Sequence, residues 1–506
     1  MARYSGAHSQ NLADCLGATF CARRRSGVCR TVYGRRDRLG VVICGDNCSI
    51  GERSLCGLVT VSRGSLVERL RKVGPQSATD LSHAVWAPEI PDMRQDCHVS
   101  FAVDAEALAV ARSRRQPTSL INNCVERREL KMASCLLGFG MALPEHSISQ
   151  ADAAEFVQPF NSESEEQARV LSALYRRAGV QRRHSVVLES IDDSGRIQQS
   201  LYQLPTDQQP HGPTTSERMR RYEQHASVLA SDATTQALSA SQVAATEITH
   251  LVTVSCSGFH APGFDIELLQ AVGLSPSVAR THIGFMGCHG ALNGLRVADA
   301  FLKVDPKSKV LLCCVELCSL HHQYGWSPDR VVSNSLFADG AAAVVLTNSS
   351  ERVTRPSAGP ADQVTVAWQL AASGSVVLPN TLDDMGWRIR DHGFEMNLSA
   401  RVPEIIKQHL RPWLTDWLGS RGLSLDDIHS WAFHPGGPRI LTAAGEALGL
   451  SREKWATSEA ILAEYGNMSS PTILFILDRL NREAAVGPCV ALAFGPGLTI
   501  EAALLE

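Results

Sequence analysis

The run Gly287-Cys288-His289-Gly290 sets a thiol between glycines, and apolar residues at 291, 295, 298 and 302 follow at helical spacing. Cys288 therefore stands at or just before a helix N-terminus. Unpaired backbone N–H groups and the helix dipole there favour thiolate over thiol, and the thiolate is the nucleophile. The glycines permit a tight turn and close approach of a substrate. A buried structural cysteine satisfies the same motif, because cysteine is among the most buried residue types.

Two further residues carry polar chemistry out of apolar surroundings. His434 follows the strand-like Trp431-Ala432-Phe433 and opens a Pro/Gly loop, the kind of strand-end position where side chains converge on a site in an α/β sheet. A surface-loop histidine is the alternative. Asn467, in Tyr465-Gly466-Asn467-Met468-Ser469-Ser470, lies just before an expected helix and reads either as a hydrogen-bond donor or as part of a simple cap made by Asn467, Ser469 or Ser470.

The elements needed to position these residues are regular from Met132 onward. Short apolar runs at 135–140, 250–258, 310–317, 341–346, 431–433 and 489–494 read as strands. Ser162 with Glu165 forms a capping-box signature for a helix through Tyr175 that Gly179 can end, and further helices are expected over 402–418 and after Pro471. The polar stretch 349–363 is the best boundary between two halves. Strands alternating with helices in both halves mean a layered α/β fold, with a first half over 132–355 and a second over 356–506.

Composition sets the outer limits. The chain has 506 residues, 44% of them hydrophobic and 20% charged, with a net charge of −4. This excludes general disorder and argues against a whole-chain nucleic-acid binder. No apolar run is long enough to span a bilayer and the start lacks the apolar core of a secretory signal, so the expected location is the cytoplasm. The fifteen cysteines then read as free thiols.

The first 131 residues differ from the rest. They hold 18 Arg, 2 Lys and 13 acids, a net of +7, which leaves −11 on the remainder, and they contain eight of the cysteines. No sustained helical or strand period appears, so no fold is assigned. A zinc site on Cys15, Cys21, Cys29, Cys44, Cys48 and Cys56 lacks a paired CxxC knuckle. An organelle transit peptide would not carry Asp14, Asp37, Asp46 and Glu52. The preferred reading is a dispensable extension, with Met132 as the natural start of the first strand.

Taken together, the motifs resemble the type III polyketide synthases, the chalcone and stilbene synthase family. The match comprises Cys288 after a glycine, Phe-Ala-Asp-Gly-Ala-Ala-Ala (337–343), His-Pro-Gly-Gly-Pro (434–438), Tyr-Gly-Asn-Met-Ser-Ser (465–470) and Ala-Phe-Gly-Pro-Gly-Leu-Thr-Ile-Glu (493–501), in the family's order. The resemblance implies a thiolase-like αβαβα sandwich of two similar halves, a homodimer, a buried site reached by a tunnel, and acyl-CoA and malonyl-CoA as substrates. It implies catalysis by Cys288, His434 and Asn467. A decarboxylative Claisen condensation needs a thiolate to hold the acyl chain and donors to stabilise enolate and oxyanion, and an imidazole and a carboxamide suit that task. An ion pair between His434 and Cys288 would keep the thiolate formed. No cofactor and no metal are required.

Other positions follow from the resemblance. Phe337 matches a gatekeeper aromatic between CoA tunnel and reaction cavity, and the second gatekeeper position falls on Met396, where a flexible thioether points away from small aromatic starters. Gly495, Pro496 and Gly497 match the loop shaping the cyclisation cavity, where missing side chains leave volume. Arg176, Arg177, Arg182 and Arg183 match basic residues that contact CoA phosphates. Cys313, Cys314 and Cys318 read as core thiols, Glu316 as structurally hydrogen-bonded, His289 as a packing or helix-start residue, and His321 and His322 as exposed. The rival within the superfamily is a β-ketoacyl carrier-protein synthase III, which condenses once on a carrier protein. From another class comes a non-catalytic thiolase-fold binding protein.

Overall fold

The computed structural model describes residues 29–35, 38–44, 57–62, 133–191, 197–349 and 368–506. Met132, Cys15, Cys21, Cys48, Cys56 and most of the 349–363 boundary lie outside the described residues. The chain divides into two compact units, Met1–Arg115 and Gln116–Glu506. In the first, strands Cys29–Arg35, Arg38–Cys44 and Gly57–Ser62 pair antiparallel in that order. The apolar run 39–44 lies in the middle strand. It is too short to have shown a period by itself.

Among the described residues the second unit is built on a sheet of nine strands: β1 (Ala133–Ala142), β2 (His250–Ser255), β3 (Ala279–Gly284), β4 (Lys309–Leu317), β5 (Asp339–Ser349), β6 (Trp368–Val377), β7 (Ser430–Phe433), β8 (Cys489–Gly495) and β9 (Thr499–Leu505). Their order across the sheet is β3-β2-β4-β5-β1-β6-β9-β8-β7. β2 runs parallel to both neighbours and β7 parallel to β8, so each half contains crossover connections through helices. The halves meet at β1 and β6 through three residue pairs, Ser134 with Leu370, Cys135 with Gln369 and Leu136 with Trp368.

Strand alternation sorts the apolar residues into layers. Leu311, Cys313 and Val315 of β4, with Ala341, Ala343 and Val345 of β5, face the long helix Thr215–Ser241, whose Ala226, Ala230, Ala233 and Ala237 are fully buried. Helix and sheet approach closely because Gly140 lacks a side chain: a Cβ there would fall 2.0 Å from the Ala233 carbonyl oxygen. The alternate residues Leu312, Cys314, Ala342 and Val344 face the helices Gly290–Val304 and Thr472–Arg482. These two helices also meet Ala432, Ala491 and Ala503 of the second half. Beyond that sheet, Trp431, Phe433, Val490 and Leu492 pack on the helices Val402–Gly419 and Pro438–Leu448. The layers thus run helix, sheet, helix pair, sheet, helix pair, the αβαβα sandwich expected from the sequence.

The strand and helix expectations hold with small shifts at their ends. One cap moves. The helix runs over Glu165–Arg177 and its N-cap is Ser164, whose hydroxyl accepts from the Gln167 N–H. Ser162 instead closes an unpredicted helix, Gln150–Asn161, by donating its hydroxyl to the Gln158 carbonyl. Two serines two residues apart both carry cap chemistry, and the helix-to-helix junction decides between them.

Candidate active site

Cys288 sits in a single 3-10 turn, Gly287–His289, that feeds directly into the helix Gly290–Val304 of the central layer. Gly287 has φ +74°, a conformation that favours glycine, and a Cβ on it would lie 2.5 Å from Pro496 Cδ. The loop after β8 therefore presses on the turn that carries Cys288. Cys288 is 8% exposed and lines a chamber of about 30 Å³ with Cys256, Ser257, Glu316, Ser469 and Pro496. Burial pushes its thiol up to about 11, with the Ser469 hydroxyl and the Asn467 amide acting the other way and the Glu316 charge reinforcing the rise.

The second half supplies the other two residues. His434 follows Phe433 at the end of β7, where its N–H donates to the Leu492 carbonyl at 2.8 Å. It is 1% exposed, and neither ring nitrogen has a partner. Burial, and then repulsion from His289, push it down to about 3, so the ring is neutral. Burial thus opposes the expected thiolate–imidazolium pair on both members, while Ser469 and Asn467 favour the thiolate.

Asn467 is held by its backbone. Its N–H donates to Leu336, its carbonyl accepts from Ala338, and it bridges to Phe337. Its Oδ1 accepts from the Ser469 N–H at 2.8 Å, which leaves the NH2 end to face Cys288. The capping alternative fails: the following helix begins at Thr472 with Pro471 at its N-cap. Ser469, read from the sequence only as a possible cap, has φ +57° and reaches the thiol.

Phe337 and Met396 both line the Cys288 chamber and a larger cavity of about 100 Å³ behind it. Between them stands Trp387, which the sequence reading did not single out. It pairs directly across the hairpin Met385–Arg390/Gly393–Leu398 from Met396, and directly opposed residues share one face. Its indole N–H donates to the Cys256 carbonyl at 2.8 Å, and its ring lies 6.3 Å from that of Phe337. The alternation of Met385, Trp387 and Ile389 with Phe394, Met396 and Leu398 was the available signal.

Several sequence expectations need correction. His321 is buried, not exposed: its Nδ1 accepts from the Phe394 N–H, its Nε2 donates to the Ser257 carbonyl, and its ring stacks on Phe394. His322 is half-buried, and burial pushes both rings down to about 3. Cys318 is more than a core thiol, since it lines both cavities. Arg176, Arg177 and Arg182 are exposed, but Arg183 is buried and its guanidinium donates to the carbonyls of Asn334 and Phe337. It braces the Phe337 backbone instead of facing solvent. Gly495 does not leave volume; the His289 ring occupies the space its Cβ would take.

Glu316 ties the halves together. Its carboxylate accepts from the Cys256 N–H and the Ser257 hydroxyl in the first half and from the Ser470 hydroxyl in the second. Burial pushes it up to about 7. Among the described residues no group of three or more His, Cys, Asp or Glu side chains could hold a metal ion.

Comparison with known proteins places this geometry. The chain is 32% identical over 375 residues to the alpha-pyrone synthesis polyketide synthase-like Pks18 of Mycobacterium tuberculosis, covering 73% of this chain and 90% of that protein. It is 32% identical over 369 residues to 1,3,6,8-tetrahydroxynaphthalene synthase of Streptomyces peucetius, covering 72% of this chain and 91% of the relative. The crystal structure of PKS-I from the brown alga Ectocarpus siliculosus superposes with a TM-score of 0.66 at 28% identity, over 75% of this chain and all of that one. These relatives favour the polyketide side over a carrier-protein synthase. The models of the N-terminal and C-terminal domains of chalcone and stilbene synthases match residues 122–350 and 369–506. With both domains matched in order on a layered sandwich that brings Asn467 to Cys288, the chain belongs to the chalcone and stilbene synthase family, the type III polyketide synthases.

Proposed function

We propose that Cys288 accepts the acyl group of an acyl-CoA starter, that malonyl-CoA is then decarboxylated against His434 and Asn467, and that repeated condensation builds a poly-β-keto chain which cyclises. Loss of carbon dioxide leaves an enolate on the malonyl unit. That carbon attacks the Cys288 thioester, a carbon–carbon bond forms, and the Cys288 sulfur leaves as thiolate to receive the lengthened chain again from CoA. Neutral donors fit the enolate better than a carboxylate would, because a fixed negative charge repels the one that develops. The observation that carries the reading is His434: a ring 1% exposed with both nitrogens unpartnered is costly unless a ligand atom completes it.

The finer assignments belong to the same proposal. Arg176, Arg177 and Arg182, exposed at and beyond the end of the helix Glu165–Arg177, take the CoA phosphates. Met396 in place of an aromatic suits starters other than small aromatic acyl groups. No cofactor is needed, since decarboxylation supplies the carbanion. The working enzyme is a cytoplasmic homodimer. No helix among the described residues is long and apolar enough to cross a membrane. Incubation with radiolabelled malonyl-CoA and a panel of starters, followed by chromatography, tests the reading: labelled products that depend on starter are expected, and their absence with every starter would overturn it.

A further inference from the structure

The helix Pro328–Leu336 ends one residue before Phe337, and its last carbonyls have no partner within the helix. Each of the four from Asn334 to Phe337 is taken by a group from elsewhere in the chain. Arg183 donates to Asn334 and Phe337 at 2.5 and 3.2 Å, the Gln150 amide donates to Ser335 at 2.8 Å, and the backbone N–H of Asn467 donates to Leu336 at 2.9 Å. The residue that presents its amide to Cys288 therefore also closes the end of this helix, and Arg183 holds the first and last carbonyls of the same set.

The two segments are tightly joined. Ala338 N–H donates back to the Asn467 carbonyl at 2.9 Å, and Phe337 and Asn467 form a parallel bridge. Gly466, with φ +75°, lies flat on the same segment: a Cβ there would fall 2.9 Å from Ala338 Cβ, 3.1 Å from the Leu336 carbonyl oxygen and 3.4 Å from Arg183 Cβ. Arg183 is 7% exposed, comes from the short strand Arg182–His184 and lies over the Tyr175 ring at 5.3 Å. A guanidinium suits this place twice, since its planar fork spans two carbonyls and its charge faces the negative end of the helix. On the other side, Asn467 Oδ1 is fixed by the Ser469 N–H, so the amide follows its own backbone.

We infer that Arg183 is a positioning residue for decarboxylation: by closing the end of the helix Pro328–Leu336 it fixes the segment to which Asn467 is tied, and so the place of the Asn467 amide beside Cys288. Without the guanidinium two buried carbonyls lose their donor, the helix end relaxes and the amide moves with it. A displacement of about 1 Å can cost about a hundredfold in rate. The inference rests on the reading of Asn467 above, and it separates Arg183 from the exposed arginines proposed to hold CoA.

Full-chain variants are compared by release of labelled carbon dioxide from carboxyl-labelled malonyl-CoA, with iodoacetamide alkylation of Cys288 as the check on its thiol. Arg183→Met, which keeps much of the volume and removes the donors, should lower kcat by about ten- to a hundredfold and leave KM within about threefold, with Cys288 still alkylated. Arg183→Lys, whose ammonium cannot span both carbonyls, should fall between Arg183→Met and the wild type. In the Asn467→Ala background Arg183→Met should cost nothing further, because the donor it positions is already gone. Falls that multiply in the double variant, a raised KM at unchanged kcat, or wild-type rates in both Arg183 variants while Asn467→Ala is impaired each overturn the positioning role alone. Wild-type carbon dioxide release by Asn467→Ala overturns the reading of Asn467 and this inference with it. Should Arg183→Met fail to fold, Arg183→Lys carries the same cycle.

Discussion

Gly495 and His289 interlock: a Cβ built on Gly495 would fall 2.2 Å from Cδ2 of the His289 ring. The contact fastens the end of β8, in the second half, to the turn carrying Cys288, in the first. His289 is held in turn by the helix it begins, its Nδ1 lying 2.6 Å from Asn293 Oδ1.

From this contact follows a steric prediction. Gly495→Ala should destabilise the protein by about 1–3 kcal/mol, the usual penalty for overpacking, and slow acylation of Cys288 by displacing its turn. His289→Ala removes the obstacle, so the double variant should recover much of the loss, with a coupling energy of about 0.5–3 kcal/mol in chemical denaturation. Simple additivity of the two single variants would show that the contact has slack.

The two cysteines of the chamber give a second prediction. Gly287 N–H donates to Cys256 Sγ at 3.1 Å, so Cys256 supports the turn that carries Cys288. Cys288→Ala should abolish covalent loading by acyl-CoA, because no other group replaces the thiolate, whereas Cys256→Ala should keep an adduct on Cys288. An unchanged adduct on Cys288→Ala, by intact-protein mass spectrometry, would transfer the nucleophile's role to Cys256.

How much of this was legible in the sequence depends on the range of the interaction. The layered fold was, because apolar runs of strand length and helical spacing are local. Cys288, His434 and Asn467 were legible as motifs, each with its own flanking glycines or prolines. What escaped depends on packing between distant segments. His321 looks like a loop residue until the hairpin Met385–Arg390/Gly393–Leu398 folds over it and Phe394 stacks on its ring. Arg183 looks like its exposed neighbour Arg182 until alternation in the short strand Arg182–His184 turns it inward to the carbonyls of Asn334 and Phe337. Gly495 looks like empty volume until His289, more than two hundred residues earlier, fills it.

Glu316 gives a pH prediction. Burial raises its folded pKa to about 7 from an ordinary value near 4.5. A group raised on folding contributes stability that is full below the unfolded value and is lost as pH rises through the folded one. Glu316→Gln keeps the shape and removes the titration. The stability of the wild type relative to Glu316→Gln should therefore fall between about pH 4.5 and 7 and level off above. A flat difference in chemical denaturation across that range would show that the serine hydroxyls and the Cys256 N–H hold the carboxylate at its ordinary value.

The last prediction separates loading from extension. Asn467 presents its amide to Cys288, and the Ser469 hydroxyl acts on the same thiol. Hydrogen bonds to a thiolate favour the charged form, so their removal raises the thiol's pKa. Ser469→Ala should move the pH profile of Cys288 alkylation by iodoacetamide upward, with Asn467→Ala doing so to a smaller degree. Asn467→Ala should still accept an acyl group, because the nucleophile and its helix start remain, but release of labelled carbon dioxide from malonyl-CoA should fall on the order of 10²–10³, as when an oxyanion donor is lost. His434→Ala should lose decarboxylation to a similar degree, since its neutral ring offers an N–H to the enolate. It should leave the alkylation profile in place, because burial keeps the ring neutral and neither of its nitrogens is bonded to the thiol. Normal carbon dioxide release by both His434→Ala and Asn467→Ala would remove these residues from the chemistry and leave Cys288 as an acyl carrier whose extension is promoted elsewhere.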